Sequence, residues 1–371
     1  MNIIHYNPWG DKLSAEYIDT LNKSMEGKAV CRVAGSFLEL RKEMAQQHAD
    51  IIDIHGCWHD SIPLTTLLAR RHLTRIVVTP HGQLEPWVTR RHWLTSTLPR
   101  MLAYQRRTIR KAYSVIVMGE MEEKNLERLG WTKRIETIGC SLFTSSITDE
   151  EMARQTLAVF QKVMDSNVVE LMKPNTTQAL HSLYKACIIA DAQWLKQEER
   201  EAVENLDDVS WREIEIYGHH TFTLVDIRHG ADTLGITLPD CRPSEIACYL
   251  PYKYDKDALR HRLASLSADE KGMHSPADVV DIIKALHQKT RKNTLGIADI
   301  IQFSSTLYRL RTDEDEVRYL LSEAQLTKFA ARLMQLVRHF TLLPDGFLIV
   351  QPLGDNQERQ IMNNILKKFE L

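Results

Sequence analysis

A chain of 371 residues, 43% hydrophobic and 26% charged, has an ordinary globular make-up and is long enough for two cores. Its formal net charge of -2 carries no whole-molecule signal for nucleic acid, so any electrostatic function must come from local clustering. No apolar run approaches the roughly 20 residues of a membrane-spanning helix, and the six scattered cysteines (Cys31, Cys57, Cys140, Cys187, Cys241, Cys248) include no C-x-x-C pair of zinc or redox type.

The opening segment, Met1 to Pro8, has neither a basic leader nor a small-residue cleavage site and reads as a first buried strand, which makes the cytosol the expected location. Through the first 140 residues short apolar runs alternate with amphipathic stretches, the pattern of βαβ units around a parallel sheet. The strands are expected at Asn2–Tyr6, Ala29–Val33, Ile51–His55, Ile76–Thr79, Ser114–Met118 and Arg134–Ile138. Helices are expected from Phe37 to Gln47, opened by the capping box Ser36-Phe37-Leu38-Glu39, from Ile62 to Arg71, from about Thr95 to Lys111, and from Glu120 to Leu129 before Gly130. Beyond Ile138 the strand signal fades. A long helix is expected from Thr148 to about Met172, then mainly helices over Ala179–Ala190, Ala192–Leu206, Val279–Lys289, Ile297–Leu310, Glu314–Leu321 and Leu326–Phe340; a short strand near Ile214–Tyr217 is open as an alternative, too little to build a second parallel sheet. The fold class is therefore α/β: a Rossmann-like parallel-sheet domain over residues 1–145, followed by a mainly α-helical domain over 146–371.

In an open α/β sheet ligands gather outside the carboxyl ends of the strands. Two motifs sit there: Asp53-Ile54-His55-Gly56-Cys57-Trp58-His59-Asp60 after the third strand, and Thr79-Pro80-His81-Gly82-Gln83-Leu84-Glu85-Pro86-Trp87 after the fourth. Each places His-Gly where a strand ends, and glycine lets the backbone turn sharply there. Taken singly, each histidine could simply hydrogen-bond loop carbonyls. A zinc set of His55, His59 and Asp60 is conceivable, but H-x-x-x-H brings two imidazoles together on a helix and this one follows a strand, so no metal is expected. P-loop, G-x-G-x-x-G and G-x-S-x-G fingerprints are missing, which removes the support for kinase, dehydrogenase and hydrolase readings.

The series D-I-I-D-I-H-G-x-W, V-V-T-P-H-G-Q-L-E-P-W, A-Y-S-V-I-V-M-G-E-M-E-x-x-x-L-x-x-L-G-W and R-I-E-T-I-G resembles, in order and spacing, the N-terminal acceptor-side domain of family-4 glycosyltransferases. T-P-H-G-Q-L-E-P-W is its most specific piece. The resemblance implies a retaining, B-type-like sugar transferase of cell-surface polysaccharide synthesis. It implies that His81 is catalytic, beside the donor phosphates and acceptor hydroxyl. His55, Gly56, Trp58, Gly82 and Gln83 would contact substrate, and Glu120 or Glu123 would begin a helix near the cleft. The nucleotide sugar enters as a substrate, so no cofactor is expected. The partners implied are that donor and a glycan or lipid-linked acceptor.

From Pro86 to Gly119 there is no acidic residue, while Arg90, Arg91, Arg100, Arg106, Arg107, Arg110 and Lys111 alternate with Trp87, Trp93, Leu98, Leu102 and Tyr104. Such a surface suits anionic headgroups, with Arg90, Arg91, Trp93, Arg106, Arg107 and Arg110 as membrane-surface candidates and a peripheral place at the inner face of the membrane. It suits equally an intramolecular pairing with acidic groups such as Glu198–Glu201 or Asp313–Glu316.

The resemblance stops after Ile138. A family-4 transferase grips its donor with a second Rossmann domain carrying a Gly-Arg loop, a Lys-Gly pair and two glutamates separated by seven residues, and none of these is evident here. Arg228, Arg291 and Lys292 are basic candidates in the helical half without a motif to support them. Two readings stay open: a transferase whose donor site is atypical or supplied by a protein partner, and a non-catalytic relative acting as an interaction or scaffold protein.

Overall fold

A computed structural model describes residues 1–90, 97–166, 172–249 and 275–366. These fall into two compact units, one formed by residues 1–166 and 247–249, the other by the remainder.

The first unit is built on a six-stranded, all-parallel sheet of order β2-β1-β3-β4-β5-β6. Its strands are β1 (Asn2–Tyr6), β2 (Val30–Ala34), β3 (Ile51–His55), β4 (Arg75–Thr79), β5 (Ser114–Val117) and β6 (Ile135–Thr137). The inner strands are buried on both sides and so read as unbroken apolar runs. On one face Ile4, Tyr6, Ile52, Ile54, Val78 and Val115 meet Leu40 and Met44 of α2 (Phe37–Gln46), Ile62 and Ala69 of α3 (Ile62–Arg71), and Leu126 of the helix after β5. On the other, Ile3, Ile51, Val77 and Ile116 meet Tyr17, Ile18 and Leu21 of α1 (Lys12–Ser24) together with the long helix that follows β6. That alternation puts His5, Asp53, His55 and Thr79 on the α1 side at the carboxyl end of the sheet.

Between β4 and β5 run α4 (Pro86–Arg90), α5 (Leu98–Arg100), a π-helical turn (Met101–Gln105) and α6 (Arg106–Lys111). The expected start of this helix at Thr95, together with Arg91 and Trp93, lies outside the described residues, and Arg90 closes α4. Helix α7 (Glu120–Leu129) ends at Gly130, which takes the left-handed conformation (φ 60°) as the sequence leads one to expect. In α2 the Ser36 hydroxyl accepts the Glu39 N–H at 3.3 Å, while the Glu39 carboxylate reaches one residue further back, to the Gly35 N–H at 2.8 Å. Helix α8 (Asp149–Met164), capped by Thr148, stops at Met164 rather than near Met172, and Met152, Phe160 and Val163 seal the α1 face of the sheet. Residues 247–249 return to this unit, where the Tyr249 hydroxyl meets Ser114 Oγ at 2.8 Å and Glu136 Oε1 at 2.7 Å.

The described part of the second unit is helical throughout, with no strand: α9 (Pro174–Ile189), α10 (Gln197–Glu204), α11 (Asp208–Thr221), α12 (Leu224–Leu234), α13 (Pro276–Arg291), α14 (Ile297–Arg309), α15 (Glu314–Glu323), α16 (Thr327–Thr341) and α17 (Asn356–Ile365). The segment Ile214–Tyr217, open to a strand reading in the sequence, is the middle of α11. Its I-E-I-Y alternation misleads because Glu215 is buried beside Ile214 and Ile216, with Arg228 Nη2 3.7 Å from its carboxylate. Leu180, Leu183, Tyr184 and Ile188 of α9 lie in the core. A Cβ on Gly230 of α12 would fall 2.1 Å from the Leu183 carbonyl oxygen, so only glycine allows these two helices to approach so closely. No described helix is long and apolar enough to cross a membrane.

Candidate functional site

β3 and β4 are neighbours in register, His55 beside Thr79, so the two His-Gly turns leave the same rim of the sheet. The backbone coils tightly in both: Gly56 (φ 86°) and Trp58 (φ 68°) after β3, His81 (φ 53°) and Gly82 (φ 78°) after β4. Gln83 locks the turns together, its Oε1 accepting the Cys57 N–H at 2.6 Å and its carbonyl accepting the Trp58 indole N–H at 3.1 Å. Trp9, in the loop after β1, donates its indole N–H to the Cys57 carbonyl at 2.8 Å. A Cβ on Gly56 would lie 2.9 Å from Trp9 Cδ1 and 3.1 Å from Gln83 Nε2, so this glycine serves close approach as well as the turn. Beside the turns is an open cavity of about 270 Å³ lined by Trp9, Trp58, Gln83, Val88, Thr97 and Arg100.

Behind the rim runs a chain of buried polar groups. His5 Nδ1 is 3.0 Å from His55 Nε2, and His55 Nδ1 is 2.9 Å from His81 Nε2. Asp53 Oδ2 lies 3.4 Å from His5 Nδ1 and 3.2 Å from His55 Nε2, while its Oδ1 accepts the Thr79 hydroxyl at 2.8 Å. His5 and His55 are 0% exposed and Asp53 1%. Burial alone would keep His5 neutral, but Asp53 and Cys31 outweigh it and raise its pKa to about 9. Asp53 is held ionised against its own burial by His55 and His5. Burial and then its His55 neighbour press His81 down to about 3, so this ring is neutral. His81 Nδ1, also buried, has no hydrogen-bond partner, and Tyr17 meets the ring edge-on at 5.1 Å.

The expected site residues thus divide. Gly56, Trp58, His81, Gly82 and Gln83 converge on the double turn. His55 is wholly enclosed with both ring nitrogens engaged, so it orients His81 and cannot itself line an open surface. Among the acids that open α7, neither Glu120 nor Glu123 is the one that reaches the turn. Glu120 is exposed and bound to Lys124 at 2.8 Å, whereas the buried Glu122 accepts the N–H groups of Gly82 at 3.2 Å and Leu84 at 2.9 Å. Burial raises the Glu122 pKa to about 7 in spite of those two donors. The zinc set conceivable from the sequence is not assembled: His59 Nδ1 bonds Ser61 Oγ at 2.7 Å, and Asp60 lies by Arg100 at 3.5 Å. Sequence reasoning passed over His5, Asp53 as a partner, Trp9 and Glu122. The available signal was a charged or polar residue inside an otherwise apolar strand, N-I-I-H-Y and I-I-D-I-H.

Of the basic segment, Arg106 and Arg107 are exposed and Arg110 is half-buried, and Trp87 and Leu102 are exposed beside them. Several of the acids proposed as their partners have roles within their own unit. Glu199 holds Lys185 at 2.8 Å, Asp313 caps α15, and Glu314 and Asp315 bind Arg318.

A parallel α/β sheet with an open cavity and two tight turns at its carboxyl rim defines a Rossmann-like domain. Residues 21–140 match the family model of the glycosyl transferase 4-like domain, so the first unit carries a domain of that kind and the rest of the chain lies outside the match. No curated protein and no solved structure matches the chain.

Proposed function

We propose that the protein is a sugar transferase, moving a sugar from a nucleotide sugar to a glycan or lipid-linked acceptor of cell-surface polysaccharide, with His81 acting at the β3–β4 rim. The observation that carries this reading is His81 Nδ1, a buried ring nitrogen with no protein partner at the last link of a hydrogen-bonded chain. With His55 Nδ1–H donating to His81 Nε2, the hydrogen of the His81 ring sits on Nδ1 and points at no protein acceptor. A buried donor left unmade costs about 1–3 kcal/mol, which a ligand oxygen would return. Such a donor acts most strongly on charge that develops during reaction, here on the departing diphosphate or the acceptor oxygen. Trp9 and Trp58, which line the cavity beside the two turns, supply flat apolar walls of the kind that stack on sugar rings and bases. Exposed Trp87, Leu102, Arg106 and Arg107 suit a peripheral position at the inner face of an anionic membrane, where a lipid-linked acceptor is found.

The test is release of nucleoside diphosphate from a panel of nucleotide sugars with glycan and polyprenyl-phosphate acceptors, followed by mass spectrometry. Turnover by the wild type that falls roughly a hundredfold or more in a folded His81→Ala variant supports the assignment. No release above a protein-free control refutes it. One observation favours a second reading, a non-catalytic relative that works as an interaction or scaffold protein: beyond Thr137 the described residues contain no strand from which a second Rossmann domain could be built.

A further inference from the structure

We infer that His5, Asp53 and His55 form a binding site for one divalent transition-metal ion, zinc by the chemistry of the donors. Asp53 Oδ2 is buried and makes no well-formed hydrogen bond, although His5 Nδ1 and His55 Nε2 stand 3.4 and 3.2 Å away. A buried ionised oxygen left without a well-formed hydrogen bond is costly. As a set of ligands the three groups are ordinary. The third edge, His5 Nδ1 to His55 Nε2, is 3.0 Å, so the three atoms form a near-equilateral triangle. Zinc bonds of about 2.0–2.1 Å at tetrahedral angles put neighbouring donors roughly 3.3 Å apart.

The surroundings are those of a supported metal site. Thr79 Oγ1 donates to the other carboxylate oxygen of Asp53 at 2.8 Å, and the second nitrogen of His55 is held by His81 at 2.9 Å, which fixes carboxylate and ring in place. Two imidazoles and one carboxylate, a nitrogen-rich borderline set once an incoming ion has displaced the proton of His5, favour zinc among the abundant ions over magnesium or calcium, which prefer all-oxygen ligands. The register supplies the geometry: His5 lies beside Asp53 across β1 and β3, and Asp53 and His55 are two residues apart on one face of β3. The rings of Phe160 and Tyr17 stand 6.5 Å from His5 and 6.0 Å from His55, so the ion would sit under the α1–α8 layer. Its role is therefore to clamp β1 to β3. With Nε2 of His55 on the metal, Nδ1 must carry the ring hydrogen and donate to His81, which makes the ion a positioning element for the rim. The inference stands whether or not the protein transfers sugar.

The test uses the full chain without a histidine tag, unfolded in guanidinium with EDTA and refolded in parallel with zinc chloride or with EDTA. Metal content is measured by mass spectrometry, and cobalt(II) replaces zinc for a visible spectrum. The expected result is one zinc per chain, a Tm several degrees higher for the zinc-refolded protein, and cobalt bands of a nitrogen and oxygen ligand set. Asp53→Asn and His5→Gln should lose the metal, and His59→Ala, whose ring is bonded to Ser61, should keep it. Zinc-refolded wild type that is folded but carries no zinc above background overturns the inference, as does an Asp53→Asn variant that binds zinc as the wild type does. Should the variants fail to fold, the wild-type comparison alone decides.

Discussion

Glu122 Oε1 accepts the backbone N–H of Leu84 at 2.9 Å, across 38 positions of sequence, and through this bond helix α7 holds the floor of the turn that carries His81. The second oxygen of the same carboxylate takes the Gly82 N–H, and Asn125 one turn later donates to the Leu84 carbonyl at 2.6 Å. The turn after β4 is thus held from below by two side chains of one helix.

This carboxylate makes stability depend on pH. Burial raises its folded-state pKa from 4.5 to about 7, with Glu85 adding to the rise and the N–H groups of Leu84 and Gly82 opposing it. Between those values the folded protein keeps a proton that the unfolded chain has released. The contribution is therefore fully present below about pH 4.5, is lost as pH rises to about 7, and is level above. The loss is on the order of 3 kcal/mol. Urea denaturation of wild type and Glu122→Gln across this range should show wild type losing about that much stability relative to the variant as pH rises; a difference that does not vary with pH contradicts the assignment.

Gly56→Ala should be more harmful than an ordinary glycine replacement. At Gly27 (φ 77°) a Cβ would meet nothing within 4 Å, so alanine there carries only the left-handed backbone penalty, about 1 kcal/mol. At Gly56 the same penalty is joined by a 2.9 Å encounter with Trp9, for a total of roughly 2–4 kcal/mol. Chemical denaturation of the two variants gives the comparison, and equal losses would mean that Trp9 is not held against the turn.

In the helical unit, Lys185 Nζ and Glu199 Oε2 form a nearly buried ion pair at 2.8 Å, and the same oxygen also accepts the Lys196 N–H at 2.9 Å, at the start of α10. Lys185→Met leaves a buried carboxylate without its cation and should cost about 3–5 kcal/mol, whereas adding Glu199→Gln should recover most of the loss. Thermal denaturation of both variants measures this, and a double variant no more stable than the single one would count against it.

Much of the first unit can be read along the chain because its signals are local. β1 and β3 run Asn2–Tyr6 and Ile51–His55, the expected bounds, since unbroken apolar runs ending at polar turns mark a doubly covered strand. Helix α1 is obscure because its buried side is Ser14, Tyr17, Ile18 and Leu21, a weakly apolar stripe. The His-Gly turns are legible as motifs, but the groups behind them are not. His5 meets Asp53 only because β1 inserts between β2 and β3, a matter of strand order that no local pattern encodes. Likewise the choice of Glu122 over Glu120 and Glu123 depends on which side of α7 faces the sheet, and three acids in one helical turn look alike until the packing is known.

The membrane proposal rests on Arg106 and Arg107, both exposed, with Trp87 and Leu102. Each arginine near an anionic surface contributes about 1 kcal/mol, so Arg106→Glu with Arg107→Glu should weaken sedimentation with phosphatidylglycerol vesicles by tenfold or more. Binding should be absent on phosphatidylcholine alone and should fall with added salt. Wild type that fails to sediment with either vesicle disposes of this surface.

The central claim is that the β3–β4 rim, through His81, is where a nucleotide sugar is held. Thermal unfolding of the full chain against a panel of nucleotide sugars addresses it most directly. The account predicts that at least one of them raises the Tm by several degrees and that His81→Ala, folded but without its ring, shows no such rise. A panel without any response, or a rise that His81→Ala leaves intact, would contradict it.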